Sequence, residues 1–228
     1  MNNIAINIEE IRERVCSSLK AQQRSANAVT VLAVSKGRSS AEIRQAMAAG
    51  IEDFGESYLQ EASAKITNID DSSLRWHFIG PIQANKTRTI SQLFQWVHTV
   101  DRLKIAQRLS TQRPEHLPPL NICIQVNIDK EASKAGISLP ETASLAKAIL
   151  ALPRLKLRGL MIIPQKNADK KHQQRAFSTL AKTLDTLKAN IPDLDTLSMG
   201  MSDDYPLAVQ EGATCIRLGT AIFGSRAD

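Results

Sequence analysis

With 228 residues and 43% apolar content, the chain can bury a sizeable core, and composition excludes a disordered polymer. It carries a formal charge of +6, but its lysines and arginines are scattered and aromatics make up only 4%. No basic tract interleaved with aromatics therefore points to nucleic acid, and small anionic ligands are the simpler reason for the excess charge. Cys16, Cys123 and Cys215 are odd in number, far apart and form no Cys-x-x-Cys pair, so neither a disulfide framework nor a metal knuckle is expected and a reducing cytoplasm fits. Residues 1–10 already carry acidic side chains and no stretch has the length to span a bilayer, so we expect a soluble, unsecreted, cytoplasmic protein.

Along the chain, Ile4, Ile8, Ile11, Val15 and Leu19 recur at helical spacing and predict an N-terminal helix over 4–22. Apolar strand candidates then alternate with amphipathic helices. The strands are expected at 29–34, 53–54, 75–79, 96–99, 120–127, 156–162, 196–198 and 214–217. The helices are expected at 40–49, 56–66, 84–93, 101–112, 139–151, 169–189 and 203–211, followed by a short tail. Eight βα repeats on mostly short connections predict an α/β fold: a single-domain (β/α)8 TIM barrel with an extra N-terminal helix, spanning 1–228. An open doubly wound sheet is the alternative, and it lacks support because no Gly-x-Gly-x-x-Gly follows any strand. The proline-rich stretch 113–119 reads as a loop, since the βα rhythm resumes after it.

In such a barrel the strand ends converge on the active face. Lys36 ends the first apolar run, Thr30-Val31-Leu32-Ala33-Val34-Ser35. A solvated lysine opening a loop is the ordinary reading, but partial desolvation at a strand end favours the neutral amine that attacks a carbonyl. Ser202, after Gly200-Met201 and before Asp203-Asp204-Tyr205-Pro206, reads as the N-cap of a helix starting near 203, an end that also favours an anion. Gly219 and Thr220 add backbone donors after the eighth strand. Arg217, inside a short apolar strand, needs a partner: a buried ion pair or a ligand. An amine facing an anion site suits an aldehyde that also carries a phosphate.

The segments Ala33-Val34-Ser35-Lys36, Phe54-Gly55-Glu56, Trp76-His77-Phe78-Ile79-Gly80, Asn85-Lys86, Ser198-Met199-Gly200-Met201-Ser202 and Arg217-Leu218-Gly219 resemble the pyridoxal phosphate homeostasis protein family, in order and across nearly the whole chain. That family is similar in fold to the N-terminal barrel domain of alanine racemase. The resemblance implies pyridoxal 5'-phosphate (PLP) as cofactor, held by Lys36 as an internal aldimine. Ser202, Gly219 and Thr220 would bind its phosphate, Arg217 would face the pyridine nitrogen, and Met199 and His77 would line the pocket. A cation beside that nitrogen weakens the ring as an electron sink, so broad transaminase chemistry is not expected.

The family's Phe-Gly-Glu-Asn-Tyr stands here as Phe54-Gly55-Glu56-Ser57-Tyr58, a hydroxyl replacing an amide. Gln60 and Glu61 read as solvent-facing helix residues, His77 as a buried histidine as readily as a pocket one, and Asn85-Lys86 as a helix start near the mouth. Lys134, in Glu131-Ala132-Ser133-Lys134-Ala135-Gly136, reads as a surface lysine or a second transient amine for the cofactor.

The resulting expectation is a cytoplasmic, monomeric PLP carrier, without established turnover, that releases the cofactor to PLP-dependent apo-enzymes and binds neither nucleic acid nor membrane. The alternatives are a PLP-dependent amino-acid racemase, a Schiff-base aldolase acting on a phosphorylated substrate, and a regulatory protein read by a partner. Racemisation needs acid/base groups on both faces of the substrate carbon, and the expected architecture lacks the racemase's second domain.

Overall fold

In the computed structural model, described for residues 3–129, 131, 135–165 and 168–225, eight parallel strands close into a barrel in sequence order. They are β1 (Thr30–Val34), β2 (Asp53–Glu56), β3 (Arg75–Phe78), β4 (Trp96–Val100), β5 (Leu120–Val126), β6 (Leu155–Ile162), β7 (Thr196–Ser198) and β8 (Cys215–Leu218). The α-helices are α1 (Ile4–Ala21), α2 (Ser40–Ala48), α3 (Leu59–Ile69), α4 (Thr87–Leu93), α5 (Leu103–Gln112), α6 (Thr142–Leu150), α7 (Lys170–Lys188), α8 (Tyr205–Gln210) and α9 (Thr220–Phe223), with single 3-10 turns opening α4 and α6. The predicted barrel and its extra N-terminal helix are thus present. No helix among the described residues is long and apolar enough to cross a membrane.

Closure is set by β1, which pairs with β2 (Ala33 opposite Phe54) and with β8 (Thr30 opposite Cys215 through Ala33 opposite Leu218). The two chain termini of the barrel therefore meet, and the loop after β1 emerges beside the loop after β8. Outside the strands, one continuous apolar core fills the space beneath the helices, with Phe54, Phe94 and Phe177 fully buried. Helix α1 joins it through the five residues of the predicted stripe, all buried. Each contributes about 1.5–3 kcal/mol, which outweighs the few tenths of a kcal/mol that propensity alone gives a helix of this composition. Asn3 caps α1 by accepting from the Ala5 and Ile6 N–H groups, and the Arg12 guanidinium donates to the Ala49 and Gly50 carbonyls at the end of α2.

Most boundaries shift from expectation by one to three residues. Helix α3 begins at Leu59 rather than 56, because Phe54-Gly55-Glu56 continues β2 in register with Trp76, His77 and Phe78. The last strand runs one residue later than predicted. The expected tail instead forms the short α9, whose Asn7 contact (side-chain N–H to Ile222 O, 2.8 Å) ties it to α1.

Candidate functional site

At the C-terminal end of the barrel, a cavity of about 590 Å³ is lined by residues just past β1, β2, β3, β6, β7 and β8. Lys36 after β1, Ser202 after β7, and Arg217, Gly219 and Thr220 in or after β8 all face it, joined by Ser57, Arg38 and Asp203. The sequence reading missed Arg38, although a guanidinium two residues beyond a strand-end lysine was a legible signal. Its guanidinium pairs with Glu42, donates to the Gly224 carbonyl and lies 5.6 Å from the Phe223 ring centroid, strapping the loop after α9 to the loop after β1.

The backbone around Lys36 is held on both sides. The preceding Ser35 is fully buried; its hydroxyl donates to Glu56 Oε1 (2.6 Å) and its carbonyl accepts from Lys65 Nζ (2.6 Å). The following Gly37, in the left-handed region (φ 69°), donates its N–H to Glu61 Oε1. Lys65 Nζ also meets Glu56 Oε1 at 2.8 Å and Glu61 Oε1 at 2.5 Å. Glu61, expected to face solvent, is thus part of the lysine loop's support, while Gln60 is exposed as expected. The reason is spacing: Glu61 and Lys65 lie one helical turn apart on the face of α3 that covers β1 and β2. Glu56 has no exposed surface, its Oε2 has no hydrogen-bond partner among the described residues, and burial pushes its carboxyl above the usual range despite Lys65 and Ser35.

Ser202 does not cap α8, as its sequence context suggested. The helix starts later, at Tyr205 with Pro206 in its first turn, and Asp204 takes the turn by accepting from the Met201 N–H (2.6 Å). The Ser202 hydroxyl instead accepts from the Ala221 N–H (3.1 Å), in the first turn of α9, so it links the loops after β7 and β8. Gly200 lets the loop after β7 turn closely against α8: it has φ 96°, and a Cβ there would lie 2.7 Å from the Ala208 Cβ.

Arg217 is 4% exposed. It donates from Nη1 to the Ser198 hydroxyl and from Nη2 to the Ile162 carbonyl, both at 2.8 Å. Among the described residues no carboxylate lies within ion-pair distance of it, and burial pulls its pKa down. A buried guanidinium paired only with neutral groups is costly unless something else completes it.

Two predicted lining residues are not among those facing this cavity. Met199 is wholly buried in the apolar core. His77 belongs to a second cavity, of about 510 Å³, at the N-terminal end of the barrel, where Nε2 meets Asp53 Oδ1 and Nδ1 meets His98 Nε2, each at 2.9 Å. The cause is register: His77, the third of the four residues of β3, lies level with Trp96, the first residue of β4, and its ring stacks on Trp96 (centroids 5.4 Å). Asn85 and Lys86 form the 3-10 turn before α4 and do not line the site. Lys134 lies outside the described residues.

The family model for the N-terminal domain of alanine racemase matches residues 2–227. The pyridoxal phosphate homeostasis protein of Pseudomonas aeruginosa is 54% identical over 226 residues, covering 99% of this chain and 97% of its own. Its namesake from Escherichia coli K12 is 46% identical over 229 residues, covering 99% and 98%. The structure of PipY from Synechococcus elongatus with PLP bound is 37% identical with a TM-score of 0.81, covering 94% of this chain and all of that one. This barrel, with Lys36 and Arg217 gathered at its C-terminal mouth, belongs to the alanine racemase N-terminal domain family and, within it, to the pyridoxal phosphate homeostasis proteins.

Proposed function

We propose that the C-terminal cavity holds pyridoxal 5'-phosphate, with Lys36 supplying the amine that takes its aldehyde in Schiff-base linkage, and that the protein serves intracellular PLP homeostasis as a carrier. One observation carries the reading: a single cavity gathers a strand-end lysine, a buried arginine with no carboxylate partner among the described residues, and the small-residue loops after β7 and β8. The names of the relatives and the PLP bound to PipY support it.

The residues fit the cofactor at each end. Arg217 has donors left over after its two hydrogen bonds and no counter-ion among the described residues, so it suits an unprotonated ring nitrogen as acceptor. The Gly219 and Thr220 backbone opens α9, and the Ser202 hydroxyl fixes that turn against the loop after β7, which supports a phosphate at this corner. The supports on either side of Lys36 orient its side chain from a rigid backbone. Met199 and His77, buried behind these groups, are left with packing and positioning roles.

Bound PLP supplies a reversible electrophile, and a cation at its ring nitrogen leaves it a poor electron sink, which suits holding and release better than turnover. Among the described residues lining the cavity, Asp203 is the carboxylate and there is no tyrosine. The reading extends to residues 1–228 acting as one binding domain, in a reducing cytoplasm, as a monomer that passes the cofactor to apo-enzymes.

The test is the absorption spectrum of the purified protein before and after borohydride, beside Lys36→Ala. We expect a yellow chromophore that borohydride bleaches, leaving a reduced pyridoxyl group on the peptide containing Lys36, and no such species in the variant. A protein that stays colourless after PLP is added overturns the proposal and favours a Schiff-base aldolase.

A further inference from the structure

A TIM barrel interior is ordinarily packed with branched apolar side chains. Here one path through it is polar. Asp53 on β2 meets His77 on β3, His77 meets His98 on β4, His98 Nδ1 meets the Ser198 hydroxyl on β7 at 2.7 Å, and that hydroxyl accepts from Arg217 on β8. The His98 to Ser198 link crosses the barrel between strands that are not neighbours. All five side chains are buried, and the path joins the N-terminal cavity, which Asp53, His77 and His98 line, to Arg217 in the C-terminal one.

The chemistry of the two ends fixes every proton between them. A guanidinium only donates and an ionised carboxylate only accepts. Burial pushes both histidines toward the neutral form; with both neutral, His77 must donate from Nε2 to Asp53, which leaves its Nδ1 as an acceptor. His98 must then donate from Nε2 to His77 and accept at Nδ1 from the Ser198 hydroxyl, whose oxygen accepts from Arg217. All four hydrogen bonds point one way, from the pocket to Asp53. The carboxylate is itself clamped by Arg75, at 2.8 and 2.7 Å.

We propose that Ser198, His98, His77 and Asp53 form a one-directional positioning relay that orients Arg217 toward the cofactor while leaving its charge unneutralised in the pocket. A carboxylate placed directly against the guanidinium would cancel that charge; the same carboxylate placed three side chains away orients it only. The role given to Arg217 rests on the proposed PLP site, whereas the proton arrangement does not.

Two measurements test the relay. In the cofactor-free protein at neutral pH, long-range nitrogen–proton NMR spectra should show both His77 and His98 as neutral Nε2–H tautomers. An imidazolium, or an Nδ1–H tautomer at either position, overturns the assignment. In PLP titrations, His98→Leu should raise the dissociation constant about tenfold, the scale of one lost hydrogen bond to a charged group, and shift the absorption maximum of the bound cofactor. His98→Gln, whose amide can both donate and accept, should restore both to within about twofold. Equal weakening in the two variants, or none in either, overturns the relay. Should His98→Leu not fold, Ser198→Ala breaks the next link and is read the same way, against wild type. A wild type that binds no PLP refutes the cofactor assignment while leaving the tautomer measurement standing, so the two failures are told apart.

Discussion

Replacing Lys65 with methionine keeps most of the side-chain volume and removes the ammonium that joins Ser35, Glu56 and Glu61 beneath Lys36. Lys65 is 7% exposed and Glu56 has no exposed surface. In the variant, the Glu56 carboxylate retains only the Ser35 hydroxyl as donor, with Oε2 already unpartnered. Removing one member of a buried pair costs about 3–5 kcal/mol. Proton uptake by Glu56 limits that cost, so we expect about 3 kcal/mol at pH 7, against a total near 5–15 kcal/mol for a domain. Glu56→Gln alone should cost about 1–2 kcal/mol, since its amide oxygen still accepts from Ser35 and Lys65. The double variant should then fall short of the sum by about 2 kcal/mol. The pH dependence has a definite sign. Without Lys65, the folded-state pKa of Glu56 rises further above its ordinary value of 4.5. The stability tied to its protonated form is present below that value and lost as pH rises through the folded one, so the deficit of Lys65→Met should grow as pH rises above 4.5. Urea unfolding of the four proteins at each pH measures this. A deficit below about 1 kcal/mol, constant with pH and additive with Glu56→Gln, would refute a buried ion pair as the support of the lysine loop.

Two further outcomes follow from the same geometry. Burial alone would raise the Asp53 carboxyl, but hydrogen bonds from His77 and Arg75 outweigh it and hold the pKa at about 2, against an ordinary 3.8. The stability this gives is present above pH 3.8 and lost as pH falls toward 2, so Asp53→Asn should lose about 2 kcal/mol at neutral pH and converge with wild type in acid, as urea titrations would show. Ser202→Ala removes the hydroxyl that holds the Ala221 N–H; it should cost about 0.5–1.5 kcal/mol in stability and weaken PLP more than pyridoxal, which has no phosphate. Equal weakening of the two ligands in paired titrations would move the phosphate away from this corner.

The βα rhythm was legible in the sequence because it is a local property. Strand-length apolar runs alternate with 3.6-period stripes, and the five-residue stripe of α1 is buried as its spacing predicts. Lys36, Ser202, Arg217, Gly219 and Thr220 were legible for a related reason: in a parallel barrel every strand's C-terminal end reaches the same face, so position along a strand predicts placement in space. What depended on neighbours across the sheet was not legible. Whether the Ser202 hydroxyl capped its own helix or accepted from Ala221 in α9 was decided by the approach of α9 to the loop after β7. Glu61 became a support because α3 lies over the loop after β1. His77 belongs to the opposite cavity because its height in the barrel follows from the register of β3 against β2 and β4. The amino-acid order by itself determined which elements form and which chemical groups stand at their ends. Only barrel closure, which pairs β1 with β8, decided that Lys36 shares a pocket with Arg217 and that a hydrogen-bonded path leads from that arginine to Asp53. The physical reason is range: propensity and periodicity act over a few residues, whereas buried polar groups must find partners wherever the closed sheet brings them.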